Sequence, residues 1–195
     1  MSGEAIKEDI VNKCTGRIKF LYRQAGCLPT ATKKTLCLAL VQCHLDYAIS
    51  SWYSALSQKA KSSLQIVQNR MIRFILNLNP RKHIGQDELQ SLEMLGIPDR
   101  AKQLKLNHVY KIFNNSAPDY LKEKFIKNRG GSTTRGSGAN FMVPHITGVE
   151  KLTFFYTAIL DWNGLPTELK TCSNQVTFKT KLKEQLHHSA ANRAE

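Results

Sequence analysis

The sequence predicts a mainly α-helical protein: a helical bundle with a short strand element and a small C-terminal helical appendage. Three observations predict this class. Apolar residues recur every three or four positions, as in Ile6, Ile10, Cys14, Ile18 and Leu21. The stretches patterned in this way are punctuated by helix stop and start signals, such as Gly26 followed by Pro29, Pro80, and Gly96 followed by Pro98. With 195 residues, 42 % of them hydrophobic, the chain can bury a sizeable core as one domain, or as one domain plus an appendage.

The first stripe predicts a helix from a cap at Ser2 to about Arg23, with Lys7, Lys13, Arg17 and Arg23 off the apolar side. Thr30 is the expected cap of the second helix. Within it, Leu36–Ile49 (LCLALVQCHLDYAI) is apolar almost all round, which predicts a buried central element closed by Trp52 and Tyr53. Ser57 is expected to cap a third helix running to Leu78. Its inner stripe is Leu64, Val67, Met71, Phe74 or Ile75, and Leu78. A short helix follows from Asp87 to Leu95, with acids in its first turn and Gly96 beyond its end. Pro98 opens the next helix, which is expected to bury Leu104, Val109, Ile112 and Phe113 and to keep Lys102, Lys105 and Lys111 in water. Asn114-Asn115-Ser116 breaks it, and another short helix reaches about Phe125.

Residues 127–140, KNRGGSTTRGSGAN, have the composition of a flexible linker. The expected organisation is therefore a helical domain over 1–126, the linker, a small subdomain over 141–188 and a frayed tail over 189–195. The subdomain should contain a strand over Phe141–Pro144 and a packed helix, or alternatively a strand, over residues 151–163. A last amphipathic helix, capped by Ser173, should carry Val176, Phe178, Leu182 and Leu186 on or near its inner side.

Charge narrows the function classes. The chain has 28 basic and 15 acidic residues, a net +13. Residues 57–130 hold 14 of the bases and only 6 of the acids, and no acid occurs between Ser50 and Gln86. Such an excess favours polyanions through phosphate contacts and counterion release. Five cysteines, an odd number with no C-x-x-C pair, fit a reduced intracellular protein. No signal peptide is visible, and no apolar run approaches the roughly 18 residues of a membrane span, so no membrane partner is expected.

Catalytic chemistry is not apparent. Two-metal sites need closely set carboxylates, and none of Asp9, Asp46, Asp87, Asp99, Asp119 and Asp161 is adjacent to another Asp. Glu8-Asp9 and Asp87-Glu88 sit where acids solvate a helix or offset its dipole. His44 and Asp46 could form a pair, though a His satisfied inside a helix explains the same spacing. Cys37, Cys43 and His44 lack zinc-ligand spacing with a fourth partner, and His187-His188 falls in the expected frayed end. No catalytic residue, cofactor or metal site is assigned. The candidate surface is instead a basic, polar helix face with its following loop: Lys61, Gln65, Gln68, Asn69, Arg70, Arg73, Arg81 and Lys82.

The order of segments along the chain carries a resemblance. HLDYAISSW is followed by LQIVQNRMIRFIL, LEMLGIPDR, VYKIFNNSAPDYL, Thr134-Arg135, FMVP, WNGLP and TFKTKLKEQL. This series, over about residues 11–188, resembles the region after the palm domain in jockey-like non-LTR retrotransposon reverse transcriptases. Cys43 stands where that family often has Pro. The resemblance implies a thumb-like, non-catalytic part of an RNA-directed DNA polymerase, because the family's F-A-D-D motif lies upstream of this region. It implies RNA or DNA as partner, contacted by Gln68, Asn69, Arg70 and Arg73, along with the absent palm domain and a nuclear site. It implies structural roles for His44, Tyr47, Trp52, Tyr110, Trp162 and Pro166. The alternative expectation is a protein-interaction module, or a domesticated or fossil remnant that binds no nucleic acid.

Overall fold

A computed structural model describes residues 3–114, 117–126 and 140–193, and the fold is mainly α-helical. The expected cap Ser2, the break at Asn115-Ser116 and nearly all of the expected linker lie outside the described residues. The chain forms two compact units. The first comprises the described residues of Met1–Ile49, Leu56–Ala101 and Ala190–Glu195; the second comprises those of Ser50–Ala55 and Lys102–Ser189. The division therefore passes within a helix rather than through the Gly/Ser-rich segment.

In the first unit, α1 (Gly3–Arg23) packs against α5 (Gln58–Leu76) and against the helix containing α2 (Thr30–Cys37) and α3 (Cys43–Asp46). The α1 stripe is buried as its spacing predicts, at Ile10, Cys14, Ile18 and Leu21. Helix α2 is capped by Pro29 in extended conformation rather than by Thr30, which is its first residue. Between α2 and α3 the helix widens into a π segment over Leu38–Gln42. The Leu36–Ile49 stretch is not buried all round. Cys37, Val41, Leu45 and Ile49 face inward, but Leu38, Ala39, Cys43, Tyr47 and Ala48 are exposed. Ala48 takes a positive φ of 49°, which ends the helix after Asp46 and turns the chain into α4 (Ile49–Trp52).

Asp46 does not partner His44. Its carboxylate takes a two-point bond from the Arg100 guanidinium at 2.6–3.2 Å and another from Gln42 Nε2 at 2.8 Å. His44 is half-buried. Its pKa is held below the usual imidazole value by burial and then by Arg17 and Lys13, with Asp9 opposing. Helix α6 (Gln86–Ser91) starts at Gly85, whose N–H donates to Glu88 Oε2 at 2.8 Å. It stops earlier than Gly96 because Glu93 adopts φ 54° and Met94 N–H bonds back to Leu89 O at 2.8 Å. Within the expected frayed end the last helix continues to Ala191, and Arg193 makes a two-point bond to Asp99 at 2.7 and 2.8 Å.

The second unit takes most of α7 (Ile97–Phe113), with α8 (Asp119–Lys122), α9 (Phe154–Asn163), α10 (Thr167–Lys170) and α11 (Gln175–Ala191). Its core is aromatic. Phe113 stacks on Phe141 at 4.7 Å, Tyr110 stacks on Phe178 at 4.3 Å, and Trp162 lies 6.0 Å from Phe178. The expected strand Phe141–Pro144 reduces to one bridge residue, Phe141. Asn163 takes over the pairing: its Nδ2 donates to Phe141 O and its Oδ1 accepts from Phe141 N–H, both at 2.8 Å. Lys170 Nζ then bonds Asn163 O and Asn140 Oδ1, both at 2.8 Å. Asn174, not Ser173, caps α11, accepting from Val176 N–H at 2.7 Å. Phe178, Leu182 and Leu186 are buried there, while Val176 is exposed.

Candidate nucleic-acid interface

The predicted site residues lie on α5 and the turn that follows it. Ser57 caps the helix as expected, its Oγ accepting from Ala60 N–H at 3.3 Å. The far end is closed in the Schellman manner. Asn77 is left-handed (φ 53°, ψ 37°), Leu78 N–H bonds Arg73 O at 2.9 Å, and Asn77 N–H bonds Phe74 O at 3.5 Å. The buried Lys33 reinforces that end. Its ammonium donates to Asn77 Oδ1 and lies 5.4 Å from the Phe74 ring centroid. A cation there also complements the negative pole of the helix.

Helix α5 presents three strips. Leu64, Val67, Met71, Phe74 and Ile75 form the buried apolar strip, joined by Ile72. An amide strip, Gln65, Gln68 and Asn69, faces the turn before α7. Gln68 is wholly buried and donates to Leu95 O at 2.8 Å. Gln65 Nε2 donates to Gln68 Oε1 at 2.9 Å and Asn69 Oδ1 at 3.0 Å, while Gln65 Oε1 accepts from Ile97 N–H at 3.2 Å. These amides satisfy backbone groups that burial would otherwise strand. Gln68 is thus withdrawn from any ligand, contrary to expectation, and Gln65 and Asn69 are half-buried and engaged.

The outward strip is Ile66, Arg70 and Arg73 at one-turn spacing, with Lys59 two turns before Ile66. Arg70 is exposed, and Arg73 and Lys61 are half-buried. Arg73 Nε donates to Lys82 O at 2.7 Å, which fixes the guanidinium while its terminal amino groups have no bonding partner among the described residues. Arg81 is exposed, and its backbone N–H is held by Asn79 Oδ1 at 2.9 Å. Lys82 faces the Glu88 carboxylate at 3.5 Å. Among the described residues, Arg70, Arg73 and Arg81 have no carboxylate partner.

Sequence reasoning missed Tyr22. It lies at the end of α1, 47 % exposed, with its ring in a T-shaped contact with Phe74 at 4.9 Å and 71°. Burial raises its phenol pKa and Cys37 adds to this, while the Arg73 guanidinium opposes the rise. The available signal was an aromatic one position past the inward Leu21. Of the positions assigned structural roles, Trp52, Tyr110 and Trp162 are buried and Pro166 caps α10, whereas Tyr47 is 73 % exposed.

Among the described residues, no group of three His, Cys, Asp or Glu side chains is placed to hold a metal ion. No described helix is long and apolar enough to cross a membrane. Comparison with known family models, curated proteins and solved structures yields no match.

Proposed function

We propose that this chain is a non-catalytic, post-palm portion of a retrotransposon RNA-directed DNA polymerase, and that it binds RNA or DNA through the outer face at the end of α5. The observation carrying the binding reading is the set Arg70, Arg73 and Arg81: three outward guanidinium groups without acid partners among the described residues, one of them preset by a backbone carbonyl. Guanidinium groups so placed suit phosphate oxygens, which they can grip at two points. The polymerase origin rests on the order of sequence segments. An in-frame upstream stretch with paired aspartates would support it, and nucleotide incorporation by this chain alone would overturn its non-catalytic part.

Binding is tested by fluorescence anisotropy with labelled RNA and DNA at two salt concentrations. Three phosphate contacts give a log–log salt slope of roughly −2 to −3. Arg70→Ala with Arg73→Ala is expected to weaken binding at least about tenfold with unchanged circular dichroism. Absence of binding at low salt, or an affinity indifferent to salt, would refute this reading. A second reading, a protein-interaction module, is favoured by exposed Leu38 and Cys43 on one helical segment and exposed Tyr47 just past its end. A pull-down returning one stable protein partner and no RNA would select it.

A further inference from the structure

Tyr22 gives the α5 surface a feature that charge alone does not. Its ring packs in a T-shaped contact against Phe74, which is itself only 2 % exposed. Lys33 fixes Phe74 in turn, with its ammonium near that ring and bonded to Asn77. The exposed aromatic surface is therefore held by the core. Arg73 adjoins Phe74 in the chain, and its guanidinium is oriented by Lys82 O at 2.7 Å. Arg70 lies one turn back, about 5 Å along the helix axis.

We propose that Tyr22 is a stacking platform for an unpaired base, with Arg73 and Arg70 taking the adjoining phosphates, so that the site selects single-stranded over duplex nucleic acid. The inference rests on the nucleic-acid reading above and adds the substrate class. Every base has a π-face, but in a duplex both faces are covered by neighbouring bases. Phosphates are presented by either form. A purely cationic surface would therefore not discriminate against duplex, whereas an aromatic platform beside the cations does. The dependence on stacking also makes the site tolerant of base identity.

The test uses the full chain with fluorescein-labelled oligouridylate and oligothymidylate of about 12 nucleotides, and with a duplex of the same length. Single strands are expected to bind at least about tenfold more tightly than duplex. Tyr22→Phe should retain that preference. Tyr22→Ala should weaken single-strand binding about tenfold and leave duplex binding within twofold. Because Tyr22 also packs on Phe74, Tyr22→Leu provides a variant that keeps apolar contact without a π-face, and it should behave like the alanine variant. Equal affinity for single strand and duplex would overturn the stacking proposal. So would a Leu variant that binds single strands as the native chain does. If Arg70→Ala with Arg73→Ala still weakens both ligands, the general nucleic-acid reading survives that failure. Absence of binding to any of these probes would remove both.

Discussion

Lys105 in the second unit and Arg73 in the first show two opposite uses of a cation. Lys105 is 6 % exposed, and its ammonium is enclosed by acceptors: Asp161 Oδ2 at 3.0 Å, Thr157 Oγ1 at 3.0 Å and Ser54 Oγ at 3.3 Å. Arg73 has one backbone acceptor, and among the described residues no carboxylate reaches it. Burying an ammonium is costly without a counter-charge, so folding itself demands Asp161. Folding makes no such demand at a solvated helix face, so the lack of acid partners for Arg70, Arg73 and Arg81 among the described residues is not a packing requirement. The second unit spends its buried charge on holding itself together; the end of α5 leaves charge available to a ligand.

The sharpest way to break this contrast is to remove the counter-charge. Asp161→Asn would leave Lys105 buried without its carboxylate and Lys102 without its neighbour at 3.5 Å. A loss of roughly 3 kcal/mol is expected in urea unfolding, somewhat reduced by the partial exposure of Asp161. Replacing both partners by apolar residues, Lys105→Met with Asp161→Leu, should recover much of that loss, since the pair's main effect is to cancel its own desolvation cost. If Asp161→Asn unfolds at the same urea concentration as the native chain, the pair contributes nothing and the contrast fails.

A smaller effect separates two kinds of residue on α5. Gln68→Leu leaves the buried Leu95 carbonyl without its donor and should cost about 1–2 kcal/mol, with nucleic-acid affinity unchanged within twofold. Arg70→Ala should do the reverse, leaving the urea midpoint in place while weakening binding. A Gln68→Leu variant that folds normally and binds poorly would return Gln68 to the interface.

These paired outcomes also mark what was legible in the residues. Local periodicity identified the stripes Ile10, Cys14, Ile18, Leu21 and Leu64, Val67, Met71, because each depends only on helical spacing. The cap at Ser57 was equally local. Gln68 and Lys105 were misplaced on the wet side because their partners, Leu95 O and Asp161, lie 27 and 56 residues away. No local pattern encodes such a partner. The stretch around Leu38, Cys43 and Tyr47 failed in the other direction. Apolar composition reports that a surface prefers cover, not whether this chain supplies it, and these three side chains are exposed. At the candidate interface, the basic strip was legible from the run without acids. The role of Tyr22 was not, because it arises from α1 packing on α5.

The smallest predicted effect concerns the thiols behind that packing. Cys14 and Cys37 are wholly buried, and burial pushes each thiol up to about 12; at Cys14 a nearby Cys43 adds to this and Arg17 opposes it. In the unfolded chain the same thiols ionise near their ordinary value of 9.0. Above that pH the folded state holds more protons than the unfolded state, so stability falls as pH rises between about 9 and 12. Below pH 9 the contribution is fully present. Each thiol should remove roughly 1 kcal/mol by pH 10, and Cys37→Ala should flatten the fall by about its own share. Thiol labelling provides an independent reading at pH 8: exposed Cys43 should react promptly, while Cys14 and Cys37 wait for unfolding. Prompt labelling of Cys14 or Cys37 in the native protein would mean that the α1 core opens readily. That would remove the rigid backing on which Tyr22 depends.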